Sequence, residues 1–209
     1  MKKAIYLFAS MALVMSVISC KTEPAEIDEE IAEIEVCNYS YDDASTEFEW
    51  TAFKTTEKKG VPGTFNDVEV TSESGNDPKE VIESITFCMN TASVETQNEE
   101  RNGKVAKHFF ETINTETIEG TIKSLGEDGK ATLEVAMNEI SVDVEGEYTL
   151  EDNVFTFETS IDVSAWNALA GIEALNTVCS DLHTGEDGVS KLWSEVKLTL
   201  KTTLKSDCD

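Results

Sequence analysis

The cysteines and histidines have the most distinctive chemistry in this sequence, yet their arrangement gives little support for catalysis. There are five cysteines and two histidines, His108 and His183. Cys179 and His183 could be drawn as a nucleophile with its base, and the two histidines with Asp181 could be drawn as a zinc site. No supporting motif accompanies either arrangement, so we predict no catalytic residues, no metal and no cofactor.

Acidic side chains near residues 181–188 could contact a calcium ion. Asp181, Glu186 and Asp187 lie there, but their spacing is not that of an EF-hand loop. Carboxylates fall close together by chance in a chain with 42 Asp and Glu residues. We therefore predict neither a calcium site nor an acid–base pair from this loop.

The first twenty residues have the pattern of an exported lipoprotein. Residues 1–3 provide a basic start, and the nearly apolar run 4–18 is too short for a comfortable transmembrane span. The run ends in Val17-Ile18-Ser19-Cys20, which resembles a bacterial lipobox. We predict a signal peptide over 1–19 and acylation of Cys20; the alternative is an ordinary signal peptide with a chance cysteine.

An acidic segment, 20–45, follows and is predicted to be a tether. Lys21 rather than Asp follows the cysteine, which favours the outer membrane under the usual sorting rule. Asp28-Glu29-Glu30 loosely resembles the export signals of some surface lipoproteins, although a solvated tether is the commoner meaning of such a run. We expect a lipid-anchored protein of the bacterial envelope, on the periplasmic or the surface side.

Charge and composition exclude other classes of protein. The 209 residues include 16 basic and 42 acidic side chains, a formal charge of -26, which repels nucleic acids and anionic membrane surfaces. Yet 40% of the residues are hydrophobic, which indicates a folded chain. We assign residues 46–209 to one domain, and the oligomeric state stays open.

Four cysteines remain if Cys20 carries lipid, and an oxidising compartment would let them form disulfides. None belongs to a CxxC pair, which argues against structural zinc. Three pairings can be drawn. We favour Cys37–Cys208, which would tie the chain ends together, and this leaves Cys88–Cys179.

From about residue 46 the sequence alternates apolar and polar residues, the pattern of half-buried strands. Hairpin signals occur at 126–129 and 151–153, and a change of phase indicates a tight turn or bulge at Asn138-Glu139. We predict a mainly β fold of eight antiparallel strands closed into a barrel. The predicted strands lie at about 46–52, 63–70, 85–89, 117–125, 133–137, 142–150, 155–163 and 196–204.

Two segments have helical spacing instead. Residues 99–112 fit one short helix, and residues 164–177 fit a second that Ser164 could cap. Helices on a barrel normally plug an end or pack on a flank. Core packing is the commoner role for any single apolar residue in them.

Several motifs, in order over residues 46–205, resemble the YceI family. They are Trp50-Thr51-Ala52-Phe53-Lys54, Gly60-Val61-Pro62-Gly63-Thr64-Phe65, the run from Ala92 to Asn98, Arg101, and His108-Phe109-Phe110. The segment from Asp181 to Gly185 is similar to a version found among Bacteroidetes members. Two departures concern the ligand: Gly120 stands near a position where the family often has an aromatic residue, and a family Arg is missing near Trp166. A glycine there predicts a bulge or extra room inside the barrel.

The resemblance implies an exported, lipocalin-like barrel that binds a polyisoprenoid or a similar amphiphile in its apolar interior. The alternative is an interaction or structural lipoprotein whose side chains fill the barrel. The ligand-binding residues that we predict are apolar and spread over several elements: Trp50, Phe65, Phe87, Phe110, Val135, Phe157, Trp166 and Leu198.

Overall fold

The computed structural model describes residues 36–208. The predicted signal peptide, Cys20 and most of the predicted tether lie outside these residues. The described strands are β1 (Tyr39–Ser40), β2 (Thr46–Lys54), β3 (Lys59–Phe65), β4 (Val68–Thr71), β5 (Thr86–Asn90), β6 (Val94–Glu95), β7 (Thr117–Leu125), β8 (Lys130–Met137), β9 (Ile140–Glu151), β10 (Val154–Asp162), β11 (Leu192–Thr203) and β12 (Lys205–Ser206).

Ten of these strands form one antiparallel sheet, which confirms the predicted mainly β, lipocalin-like architecture. The order is β4-β5-β7-β8-β9-β10-β11-β2-β3-β6, and β1 pairs separately with β12. Strand β4 stands at one end of this order and β3 next to the other end, yet Asn66 and Asp67 alone separate them in the chain. The sheet therefore curls around an interior.

The sheet has ten strands where eight were predicted, and the difference has two sources. The predicted strand 63–70 is divided into β3 and β4, because the backbone of Asn66 and Asp67 bonds outside the main ladders. The Asn66 amide donates to the Ser93 carbonyl, and the Asp67 carbonyl accepts from Asn90. The two-residue strand β6 accounts for the other addition.

Alternation along each strand divides the barrel into an apolar inside and a charged outside. In β8, Ala131, Leu133, Val135 and Met137 are buried, and the residues between them are more exposed. Glu134 lies between two of these buried positions and points away from them. The acidic side chains thus occupy the outer face, where water solvates them.

Tight turns join the hairpins where the sequence predicted them. Met137 pairs with Ile140 across Asn138 and Glu139, which both have positive φ angles. Val154 pairs with Glu151 across a similar two-residue turn. Turns of this kind match the right-handed twist of the strands that they connect.

The described helices are short and lie between strands. The α-helices are α1 (Pro78–Glu83), α2 (Glu99–Val105), α3 (Leu169–Val178) and α4 (Ser180–His183). The 3₁₀ turns are Asp43–Ser45, Thr91–Ser93 and Val163–Trp166, and a π-helical turn spans Ala106–Phe110.

Both predicted helical segments contain helix, but the second begins later than expected. Ser164 does not cap it; its amide instead donates to the Asp162 carboxylate, which caps the 3₁₀ turn. Asn167 then adopts a left-handed conformation with φ of 55°, so α3 begins only at Leu169. Helix α1 was missed, although Asp77 before Pro78 is a recognisable helix start.

The two ends of the domain are tied together. A disulfide joins Cys37 to Cys208, next to the pairing of β1 with β12. The Asn38 amide donates to the Asp207 carboxylate at 2.7 Å. These contacts fix the segment 37–45, which we call the strap.

The predicted bond between Cys88 and Cys179 is wrong, since both are free thiols. Cys88 pairs in register with Glu69 and Glu119, between the inward residues of β5, and therefore faces outward. Cys179 is buried in the core after α3. The two thiols thus lie on opposite sides of the barrel wall. The sequence pattern of β5 could not show this, because it says nothing about where helix α3 packs.

Candidate functional site

A cavity of about 480 Å³ occupies the interior of the barrel. This volume lies within the range of about 300–1,000 Å³ that is typical of small-molecule sites. Most of its wall is apolar, and all eight predicted ligand-binding residues lie on it. The filled interior of the alternative hypothesis is therefore not what the structure has.

Inward positions of neighbouring strands build most of the wall. Leu198 pairs with Trp50 across β11 and β2, and Phe157 on β10 pairs with Leu200. On the opposite side Phe87 pairs with Gly120, which pairs in turn with Val135. A period of two along each strand brings these side chains to the same face.

Glycines on adjacent strands make room for three of the aromatic rings. A Cβ atom at Gly120 would lie 2.3 Å from the Phe87 ring and 2.7 Å from the Glu134 carbonyl oxygen. The missing side chain thus provides room for a ring, which was one of the two expectations for this glycine. The other expectation, a bulge, does not occur there: the β7–β8 ladder is regular at Gly120 and irregular at Ile122–Ser124. The corresponding pairs elsewhere are Trp50 with Gly63 and Phe157 with Gly146.

Helical residues close one end of the cavity. The π-helical turn places both Phe109 and Phe110 in the core, with ring centroids 4.9 Å apart. Trp166 is 1% exposed, and its indole nitrogen donates to the Val135 carbonyl at 3.0 Å. The side-chain amide of Asn138 donates to the Trp166 carbonyl. Trp166 is therefore held through both its backbone and its indole.

The other end of the cavity opens beside the strap. Among the lining residues described, Asp43 and Asn66 alone are exposed. Tyr41 also lines the cavity, and its hydroxyl donates to Asp43 Oδ1 at 3.4 Å. Burial raises the pKa of Tyr41, and the charge of Asp43 adds to the effect, so the hydroxyl stays a neutral hydrogen-bonding group.

Sequence reasoning missed Tyr41 and Asp43 as lining residues. They lie in the segment interpreted as a tether, which has no period-two pattern. Pairing of β1 with β12, 165 or more residues away in the sequence, brings them to the cavity. The acidic composition of the segment contained no signal for that long-range pairing.

The groups considered for catalysis lie apart from the cavity. Nδ1 of His183 is 2.9 Å from Asn176 Oδ1, and burial, with a smaller contribution from the charge of Lys54, lowers the pKa of His183 to about 4. The Asp187 carboxylate accepts from Thr56 and from the Val189 amide, bonds that also lower its pKa. No cluster of three or more metal-binding side chains occurs within residues 36–208.

No helix among residues 36–208 has the length and the apolar character needed to cross a membrane.

Two solved structures resemble this fold at low sequence identity. A polyisoprenoid binding domain from Saccharophagus degradans implicated in plant cell wall breakdown is 15% identical, with a TM-score of 0.57 over 80% of this chain and 98% of that one. BcnA from Burkholderia cenocepacia is 17% identical, with a TM-score of 0.51 over 79% and 98% of the chains. These matches show a shared fold.

The comparison of sequences gives the family. No curated protein matches the chain. The model of the YceI-like domain matches residues 39–204, which is most of the sequence and nearly all of the described part. The chain therefore belongs to the YceI-like family.

Proposed function

We propose that this protein binds an amphiphile with a long apolar tail, of the polyisoprenoid class, inside its barrel. The cavity of about 480 Å³ is the observation that carries the proposal. A protein that served only as a scaffold would gain stability by filling such a space with side chains, since an empty apolar cavity forfeits packing interactions.

The free energy of tail binding would come from the removal of apolar surface from water. Each buried methylene contributes about 0.8 kcal/mol, and the wall offers aromatic and aliphatic contacts along the whole length of β2 and β11. The Saccharophagus degradans domain of similar fold is described as polyisoprenoid binding, which supports the same class of ligand here.

We further propose that lipid on Cys20 anchors the protein in the bacterial envelope, as a lipoprotein of the Bacteroidetes type at the outer membrane. The lipobox-like Val17-Ile18-Ser19-Cys20 supports this proposal. The Cys37–Cys208 disulfide supports the export that this proposal requires, since such bonds persist in oxidising compartments. Fractionation of cells that express C20S tests the anchor.

Binding can be measured with the protein's own fluorescence. The three tryptophans of the chain, Trp50, Trp166 and Trp193, all line the cavity. Saturable change of their emission on titration with farnesol is the expected result, as is an apolar lipid extractable from the purified protein. If both are absent, the proposal fails.

Substitution of Ala52 by Phe tests whether the ligand occupies the cavity. Ala52 lines the cavity from β2, so A52F would place a ring where the tail lies and displace about two methylenes. We expect affinity for farnesol to fall about tenfold. The matched control is A136F, because Ala136 lies on β8 between inward residues and does not line the cavity. Equal affinities of the two variants would contradict an interior site.

A further inference from the structure

The mouth of the cavity carries a carboxylate. Asp43 is the acidic lining residue, and among residues 36–208 no Lys, Arg or His lines the cavity. Asp43 is also exposed, as is Asn66 beside it. The negative charge therefore stands at the place where the cavity meets water.

Asp43 and Asn66 are the exposed residues of the described cavity lining, and they mark its open edge. Asp43 lies shortly before β2, and Asn66 follows β3 directly. The rings of Phe48 on β2 and Phe65 on β3 stack with centroids 6.4 Å apart, so these two parts of the chain are neighbours. Below this edge the cavity wall is apolar. The edge is therefore the natural position for the polar end of an amphiphile.

Neighbouring cations do not neutralise Asp43. The ammonium group of Lys205 lies 2.9 Å from Asp42 Oδ1, and this ion pair leaves Asp43 without one in the described part of the chain. The Tyr41 hydroxyl donates to Asp43, which orients the carboxylate without changing its charge. The Tyr41 ring is half-buried against the core, and the strap is held by the Cys37–Cys208 disulfide.

We propose that Asp43 determines which head groups the cavity accepts: chains that end in an uncharged polar group bind, and the same chains ending in phosphate are disfavoured. The inference rests on the proposed function and adds the class of head group. A phosphate at this edge would lose water and face a carboxylate, and among residues 36–208 no cation lines the cavity to pair with it. A hydroxyl or carbonyl head can instead bond to Tyr41 and to the Asn66 amide.

Farnesol and farnesyl phosphate test the proposal, because they share one tail and differ at the head. Tryptophan emission of the wild-type protein should give an affinity about five- to tenfold higher for the alcohol at low salt. The ratio should shrink as salt is added, since ions screen an exposed charge. A purely steric preference would not depend on salt.

Two substitutions separate charge from shape. D43N should bring the two affinities together, and D43K should reverse their order. The matched controls are E127Q and E127K, because Glu127 is exposed in the turn between β7 and β8 and does not line the cavity. These controls change the net charge by the same amounts and should keep the wild-type ratio.

The outcomes distinguish this proposal from the proposed function. Saturable binding of both ligands with equal affinity in the wild-type protein would overturn the role of Asp43 and leave the tail-binding function intact. So would a preference for the alcohol that D43N and D43K leave unchanged. If neither ligand binds saturably, the proposed function is overturned, and the role of Asp43 with it.

Discussion

His183 shows how burial sets the chemistry of a single residue. The ring is buried, and its Nδ1 faces Asn176 Oδ1, which also accepts from the Ser190 hydroxyl at 3.3 Å. These bonds connect α3 with the segment before β11. The imidazole is therefore a structural group that stays neutral at physiological pH.

Stability should depend on pH through His183. The unfolded chain takes up a proton near pH 6.5, and the folded chain does so only near pH 4, where burial has placed the pKa. The unfolded state thus binds more protons between these values, and the free energy of unfolding falls as pH decreases. The loss approaches about 3 kcal/mol at pH 4.

Urea unfolding of wild-type protein and H183N between pH 7.5 and about 4 measures this effect. The difference between the two proteins isolates His183 from the many carboxylates that titrate in the same range. H108N is the matched control and should keep the wild-type profile, because it retains His183. Parallel profiles for wild-type protein and H183N would show that the assignment is wrong.

Pairs of strands decide where the cavity walls lie. Phe87 on β5 and Gly120 on β7 are directly opposite in register, and the ring of one covers the backbone of the other. A side chain at position 120 would meet both this ring and the Glu134 carbonyl, so the site depends on two adjacent strand pairs.

G120A should destabilise the fold and alter the cavity. The added methyl group would overlap the Glu134 backbone, which cannot move without disturbing the β7–β8 ladder. We expect a loss of about 1–3 kcal/mol in the free energy of unfolding, the usual cost of overpacking. Weaker farnesol binding should accompany it, because the Phe87 ring is pushed inward.

G103A is the matched control for that substitution. A Cβ atom at Gly103 would have no neighbour within 4 Å, and the residue lies within α2. Alanine there should be neutral or should stabilise the helix by up to about 1 kcal/mol. Thermal or urea unfolding compares the two variants, and similar losses for both would contradict the explanation based on the Phe87 ring.

At the scale of the whole molecule, the barrel separates apolar residues from charge. The interior is apolar, and acidic side chains such as Glu134 lie on the outer face. The chain as a whole carries a formal charge of -26, which anionic lipids repel. The disulfide between Cys37 and Cys208, separated by 171 positions, secures the domain at its two ends. The negative charge of the chain gives no attraction to an anionic membrane, so the anchoring proposed above would depend on the lipid on Cys20.

C20S should move the protein from the membrane fraction to the soluble fraction of the envelope. High salt should not release the wild-type protein, because acyl chains rather than surface charge would hold it. C88S is the matched control, since Cys88 is a free thiol on the outer face of β5. Retention of C20S on membranes, or release of wild-type protein by salt alone, would contradict the proposed anchor.

Much of the fold was predictable because local patterns and the barrel agree. Alternation along β8 and β11 identified the inward faces, and Asn138-Glu139 identified a tight turn. All eight residues predicted to bind ligand lie on the cavity wall. The divided strand at Asn66-Asp67 escaped prediction, because its bend depends on hydrogen bonds to Ser93 and Asn90, which come from elsewhere in the chain.

Local sequence patterns were enough to indicate which residues face inward, since a period of two and a hydrophobic face are properties of neighbouring positions. The sequence could not show whether those inward residues fill the barrel or leave a cavity, because the free volume depends on the register between strands. The Phe87 ring lies over Gly120 only because β5 and β7 pair as they do. Tertiary structure likewise decided that Asp43 reaches the mouth, because pairing of β1 with β12 joins residues distant in sequence.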